Sequence, residues 1–116
     1  MADPRTVARL EARIKERLAH AIEFEVADPR STFLTIQKVE LSRDLSSGKV
    51  LYSVLGDRGE RSKAQHMLAD ASGFLQRKAG SILRTRHIPR LTWVYDDSIE
   101  KLAEMDELIR GAMEKD

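Results

Sequence analysis

From Ala71 to Tyr95 the chain carries Arg77, Lys78, Arg84, Arg86 and Arg90 and not one acidic side chain. Residues 1–70 are balanced, with 12 basic and 11 acidic side chains, and residues 96–116 hold 8 acidic against 3 basic. The net charge of +1 therefore conceals a basic block followed by an acidic one. A solvated helix face usually mixes signs; a window without any acid favours an anionic partner. On a helix Gly73, Arg77, Gly80 and Arg84 share one stripe, opposite Leu75, Ala79 and Ile82. Glycines exposed beside arginines let a ligand backbone approach closely, and Ser72 adds a hydroxyl. A helix broken at Ser72-Gly73 gains a second N-terminus, with free amides suited to phosphate. The alternative is that Gly73 and Gly80 let the helix pack closely on a neighbour.

Other candidate chemistry is thin. His20, His66 and His87 fall on three elements without metal-ligand spacing. Asp96-Asp97 reads as a helix cap rather than an acid pair. Ser46-Ser47-Gly48 is a turn, since no lysine-bearing phosphate loop follows it. No G-x-S-x-G elbow occurs, and the absence of cysteine excludes disulfides and thiolate metal sites. No catalytic residues, metal or cofactor are expected.

The elements that must position the basic residues follow from periodicity. A chain of 116 residues with 41% hydrophobic and 34% charged side chains suits one domain, residues 1–116, with a modest core and a well-solvated surface. The first residues lack a signal peptide's apolar core, and no run is long enough to span a bilayer. A cytoplasmic location is expected, as a monomer with no membrane partner. Asp3-Pro4 starts an amphipathic helix that runs to about Glu25 and ends before Asp28-Pro29. Ser31–Leu41 and Lys49–Leu55 read as strands of an antiparallel hairpin. In the first strand Leu34 and Ile36 share one face but Val39 and Leu41 take the other; a bulge near Gln37-Lys38 reconciles them. Ser62-x-x-Gln65 marks a second helix, which could begin a few residues earlier and which keeps its period to about Arg86. Leu91–Tyr95 is a third strand, and Ile99, Leu102, Met105, Ile109 and Met113 mark a last helix. The order α-β-β-α-kink-α-β-α predicts an α+β fold with helices packed on one face of a three-stranded sheet.

These residues resemble the ribosome-binding factor A family over nearly the whole chain. The likeness is carried by Asp28-Pro29-Arg30, Val39-Glu-Leu-Ser-Arg-Asp-Leu45, Lys49-Val50, Ala71-Ser72-Gly73, Ile88-Pro89, Leu91-Thr92 and Tyr95-Asp96. The resemblance implies a type II KH-like fold, with an Ala-x-Gly helix kink at Ala71, Ser72 and Gly73. It implies a non-catalytic factor that binds the immature small (30S) ribosomal subunit and its 16S rRNA. It also implies support for ribosome biogenesis, for processing of the precursor's 5′ end and for growth in the cold. Many members carry a C-terminal tail, whereas here an acidic helix comes last. On this reading Ser72, Gly73, Arg77, Lys78, Arg84, Arg86 and Arg90 bind RNA, and Arg43 makes a peripheral contact. Phosphate contacts orient without reading sequence, so RNA shape would give specificity. Trp93 and Tyr95 are expected on the sheet face rather than as stacking platforms. The competing reading is a protein-interaction module that docks a charged partner without RNA.

Overall fold

The first helix opens as its residue types dictate. Asp3 Oδ1 accepts a hydrogen bond from the Arg5 amide at 2.8 Å, and Pro4 occupies the first turn, where no amide donor is needed. The protein was analysed as a computed structural model, which describes residues 3–83 and 88–113. Helix α1 spans Pro4–His20. A wider π-helical turn replaces the expected regular helix over Ala21–Val26, with Ala21 and Ile22 both still buried. The turn stops at Ala27, whose φ of 49° is left-handed.

Pro29–Ser31 then form one 3-10 turn, capped by Asp28. Arg30 reaches Asp28 at 2.7 Å and Asp70 at 3.1 Å, tying this turn to a distant part of the chain. The Arg30 guanidinium holds the Asp28 carboxyl below its ordinary range.

Strands β1 (Leu34–Leu41) and β2 (Ser47–Val54) form the expected antiparallel hairpin. The register shifts between Ile36 and Lys38, where a bulge was expected. The extra residue, Gln37, brings Val39 back to the face of Ile36, and both are buried. Asp44 organises the hairpin turn: its Oδ1 accepts from the Ser46 hydroxyl at 2.7 Å, the Ser42 hydroxyl at 2.8 Å and the Ser46 amide at 3.1 Å. Those donors lower the Asp44 pKa to about 2.

Helix α2 spans Arg58–Gly80 and is capped by Asp57. Strand β3 (Arg90–Tyr95) returns parallel to β2, so the sheet is mixed, in the order β1-β2-β3. Paired rows then fix the two faces. Gly48 with Leu91, Val50 with Trp93, and Tyr52 with Tyr95 point inward; Ser47 with Arg90, and Lys49 with Thr92, point outward. Helices α1 and α2 cover the inner face, where Ile14, Leu18, Val50, Met67 and Leu75 are fully buried. Trp93 and Tyr95 pack at the edge of this core, with Tyr52 edge-on to both rings. The three-stranded α+β arrangement agrees with the KH-like fold that the resemblance implied.

Three expectations need correction. Helix α2 continues without interruption through Ala71-Ser72-Gly73, so one helix stands where two were expected and no second N-terminus forms. Leu68 before the glycine and Leu75 and Ala79 after it are all buried on one core. That continuous burial outweighs the cost of ~1 kcal/mol for a helical glycine. Second, α2 ends at Gly80, not near Arg86, because the Leu83 amide turns back to the Gly80 carbonyl at 3.0 Å. Third, the last helix, α3 (Ser98–Met113), does not join the helices on the sheet: none of its residues is buried. The inner face is already covered by α1 and α2, and the outer face presents Thr35, Lys38, Glu40, Lys49 and Thr92.

Leu75→Ala should destabilise the fold by roughly 2–5 kcal/mol, because it opens a cavity between α2 and the sheet. Urea unfolding followed by circular dichroism measures this; a change well under 1 kcal/mol would show that the site collapses freely.

Candidate nucleic-acid interface

Gly73 and Arg77 lie one turn apart on the outward face of α2, and both are exposed, as is Ser72. The Arg77 guanidinium folds back over Gly73: a β-carbon added at Gly73 would meet only Arg77 Nη1, at 3.6 Å. Nothing inside the protein therefore requires glycine at 73. Gly80 behaves differently. A β-carbon there would lie 2.5 Å from Ile88 Cδ1, so Gly80 serves a close packing contact rather than keeping the exposed face low.

Lys78 points sideways toward α1. Its Nζ lies 3.6 Å from Glu25 and 5.1 Å from the centre of the Phe74 ring. Arg17 donates to both oxygens of Glu25, at 2.7 and 3.0 Å. One carboxylate thus gathers two cations, and Arg17 first, then Lys78, lowers the Glu25 pKa to about 2. Beside them Arg13 Nη2 reaches the Ile82 carbonyl at 3.3 Å. Arg13, Glu16, Arg17, His20 and Ile82 line an open depression of about 370 Å3 along the α1–α2 seam.

Sequence reasoning missed the α1 contribution. Arg5, Arg9, Arg13 and Arg17 recur at every fourth position and lie along adjoining sides of one helix. In the linear sequence Glu11 and Glu16 interrupt them, so they form no acid-free window. Glu11 faces away from the seam, accepting from the Leu41 amide at 2.8 Å. The signal was present as a helical period rather than as a local composition.

The other expected contacts are dispersed. Arg90 belongs to the outward row of β3, on the face of the sheet away from α2. Its amide donates to the Ser46 carbonyl at 3.1 Å, which puts it at the same end of the sheet as the exposed Arg43. Arg84 and Arg86 lie outside the described residues, as does His87. His20 and His66 are exposed on helices. Asp96 caps the start of α3, accepting from the Ser98 amide at 3.0 Å, which lowers its pKa. Among the described residues no three His, Cys, Asp or Glu side chains are grouped to hold a metal, and no helix is long and apolar enough to cross a membrane.

A three-stranded mixed sheet covered on one face by two helices defines a small α+β protein. The chain belongs to the ribosome-binding factor A family, whose model matches residues 6–109. A ribosome-binding factor A from Kocuria rhizophila is 38% identical over all of this chain and 76% of its own length. One from Thioalkalivibrio sulfidiphilus is 39% identical, over 97% of this chain and 90% of its own. The solution structure of a putative ribosome binding factor A from Thermotoga maritima aligns with a TM-score of 0.71 at 32% identity, covering 86% of this chain and 95% of that one. A homology model of the Thermus thermophilus factor, fitted into the electron cryomicroscopy map of its 30S complex, aligns with a TM-score of 0.60. That match is 31% identical and covers 78% of this chain and 96% of the other.

Two outcomes test the local geometry. Gly73→Ala should stabilise α2 by about 1 kcal/mol in urea unfolding, since the new methyl group makes only an ordinary contact with the Arg77 side chain and glycine's conformational cost is removed. A loss of stability would reveal an internal constraint at 73. Glu25 is ordinarily half-protonated near 4.5 and here near 2, so its contribution is complete above pH 4.5 and fades as pH falls toward 2. Glu25→Gln should accordingly lower the thermal midpoint at neutral pH and flatten its fall across that acid window; a midpoint–pH curve parallel to that of the wild type would contradict the pairing.

Proposed function

We propose that this protein is a non-catalytic assembly factor that binds the immature small ribosomal subunit through phosphates of 16S rRNA. The observation that carries the reading is the likeness, over most of the chain, to a factor fitted into a 30S complex. The cationic α1–α2 seam supports it from the chemistry. Arg13 and Arg17 on α1 line one open depression, Lys78 shares Glu25 with Arg17 beside it, and Arg77 is exposed on the outward face of α2. Ser72 and Gly73 are small and exposed, so an RNA strand can come close once it engages the Arg77 side chain that lies over Gly73. Arg84 and Arg86 follow α2 in the chain and extend the basic run. Arg90 and Arg43, at the far end of the sheet, make peripheral contacts. Bound there, the factor acts late in subunit maturation, supports 5′-end processing of the precursor and matters most in the cold, in the cytoplasm. Specificity comes from RNA shape with little sequence preference, because phosphate donors on a helix seam do not read base edges.

Binding of the purified protein to precursor small subunits should weaken steeply as salt rises. Each phosphate neutralised contributes roughly −0.7 to −0.9 to the slope of log affinity against log salt. Arg77→Glu and Arg13→Glu should each reduce that slope by about one, with the fold intact by circular dichroism. Gly73→Leu should weaken binding in a protein that remains folded. A flat salt response, or full binding by the Arg77→Glu, Arg13→Glu double variant, would move the contact away from the seam.

A further inference from the structure

Two of the cations on the seam are not free donors. Both Nη atoms of Arg17 donate to the Glu25 carboxylate, at 2.7 and 3.0 Å, and Lys78 Nζ stands 3.6 Å from one of the same oxygens. A guanidinium fork closed on two oxygens is also how arginine holds a phosphate. The carboxylate therefore occupies the place that a phosphate diester would take between the two helices. Arg17 cannot offer its fork to RNA while Glu25 remains on it.

The backbone is shaped to put Glu25 there. In a regular helix, residues eight apart lie about 80° apart around the axis, which would turn Glu25 away from Arg17. The π-helical turn over Ala21–Val26 is wider and rotates less per residue, so it removes most of that offset. Glu25 thus returns to the side of α1 that carries Arg17. Its side chain is still 29% exposed, so the carboxylate can swing into water without moving packed atoms. Ion pairs this exposed are weak, and an incoming anion can replace one. Beside the pair, Arg13 lines the open depression with Arg17 and makes a single hydrogen bond among the described residues, to the Ile82 carbonyl.

We infer that Glu25 is a placeholder for an RNA phosphate. It holds the Arg17 fork and Lys78 in position while the seam is empty, and it gives up that place to one phosphate of the bound strand. This exchange presupposes the seam contact proposed above and adds the step that such a contact demands. A lone anion merely trades places with a carboxylate and gains little. A strand that also engages Arg13 and Arg77 is held by cations that form no ion pair among the described residues, so it prevails where a single anion does not.

The test is binding of the full chain to precursor small subunits, with each variant checked for helix content by circular dichroism. Glu25→Gln should tighten binding on the order of tenfold, the equivalent of one charge-assisted hydrogen bond released for RNA. Glu25→Asp keeps the charge but withdraws the carboxylate from both cations, and it should tighten binding in the same direction. Glu16→Gln removes an equal charge from the wall of the same depression without releasing Arg17, and should change affinity by only about twofold. Adding Glu25→Gln to Arg17→Gln should bring almost none of the gain seen in the wild type, since the two residues act as a unit. Unchanged or weaker binding by folded Glu25→Gln would overturn the inference. So would wild-type affinity in Glu25→Asp, a gain no larger than that of Glu16→Gln, or a gain that persists in full without Arg17. Undiminished binding by the Arg77→Glu, Arg13→Glu double variant is a separate failure: it moves the RNA contact off the seam and overturns the placeholder with it.

Discussion

Burial of a single sheet face against two helices is the constraint from which the other features follow. Val50, at the centre of β2, is fully buried between β1 and β3 and beneath the helices. Ile14 and Leu18 reach the sheet from α1, Met67 and Leu75 from α2. Because α2 links two parallel strands, it must cross the sheet and return the chain beside β2. That crossing brings Gln76 onto the start of β3, where its side chain bonds the Pro89 carbonyl and the Leu91 amide. The bulge at Gln37 serves the same face by restoring Val39 to it. Without one apolar layer, neither the seam nor the outward rows of the sheet would have a fixed place.

The seam inherits its electrostatics from that packing. Two helices lying side by side bring Arg17 and Lys78 to Glu25, although they are far apart in the chain. Glu25 offsets part of their mutual repulsion and holds both side chains along the groove. Such pairs contribute modestly to stability at an exposed surface, but they restrict where the cations point. Arg30 does similar work at the other junction, joining the turn after α1 to Asp70 on α2. The acidic side chains near the basic surface are therefore part of its positioning rather than a contradiction of its sign.

Much of the local structure was legible because it depends on near neighbours. Asp3-Pro4 specified a helix start, Asp44 with its serines a turn, and the broken alternation around Gln37 a bulge. These are short-range effects of backbone amides, φ restriction and period. The ends of α2 were less legible. Its apolar period runs on past Gly80, but the helix stops there and Ile88 folds onto the glycine. Through Gly73 the helix runs on as one element, with buried residues on both sides of the glycine facing one core.

The sequence by itself determined which segments are helix and strand, that one basic window exists, and that its last helix is acidic. Those properties reside in side chains and their spacing along the chain. Only the tertiary structure decided that Arg13 and Arg17 join Lys78, that Arg90 lies on the opposite side of the sheet from Arg77, and that α3 remains uncovered. The reason is physical. Which charges become neighbours depends on which apolar faces meet, and one small sheet has only one inner face, already filled by α1 and α2.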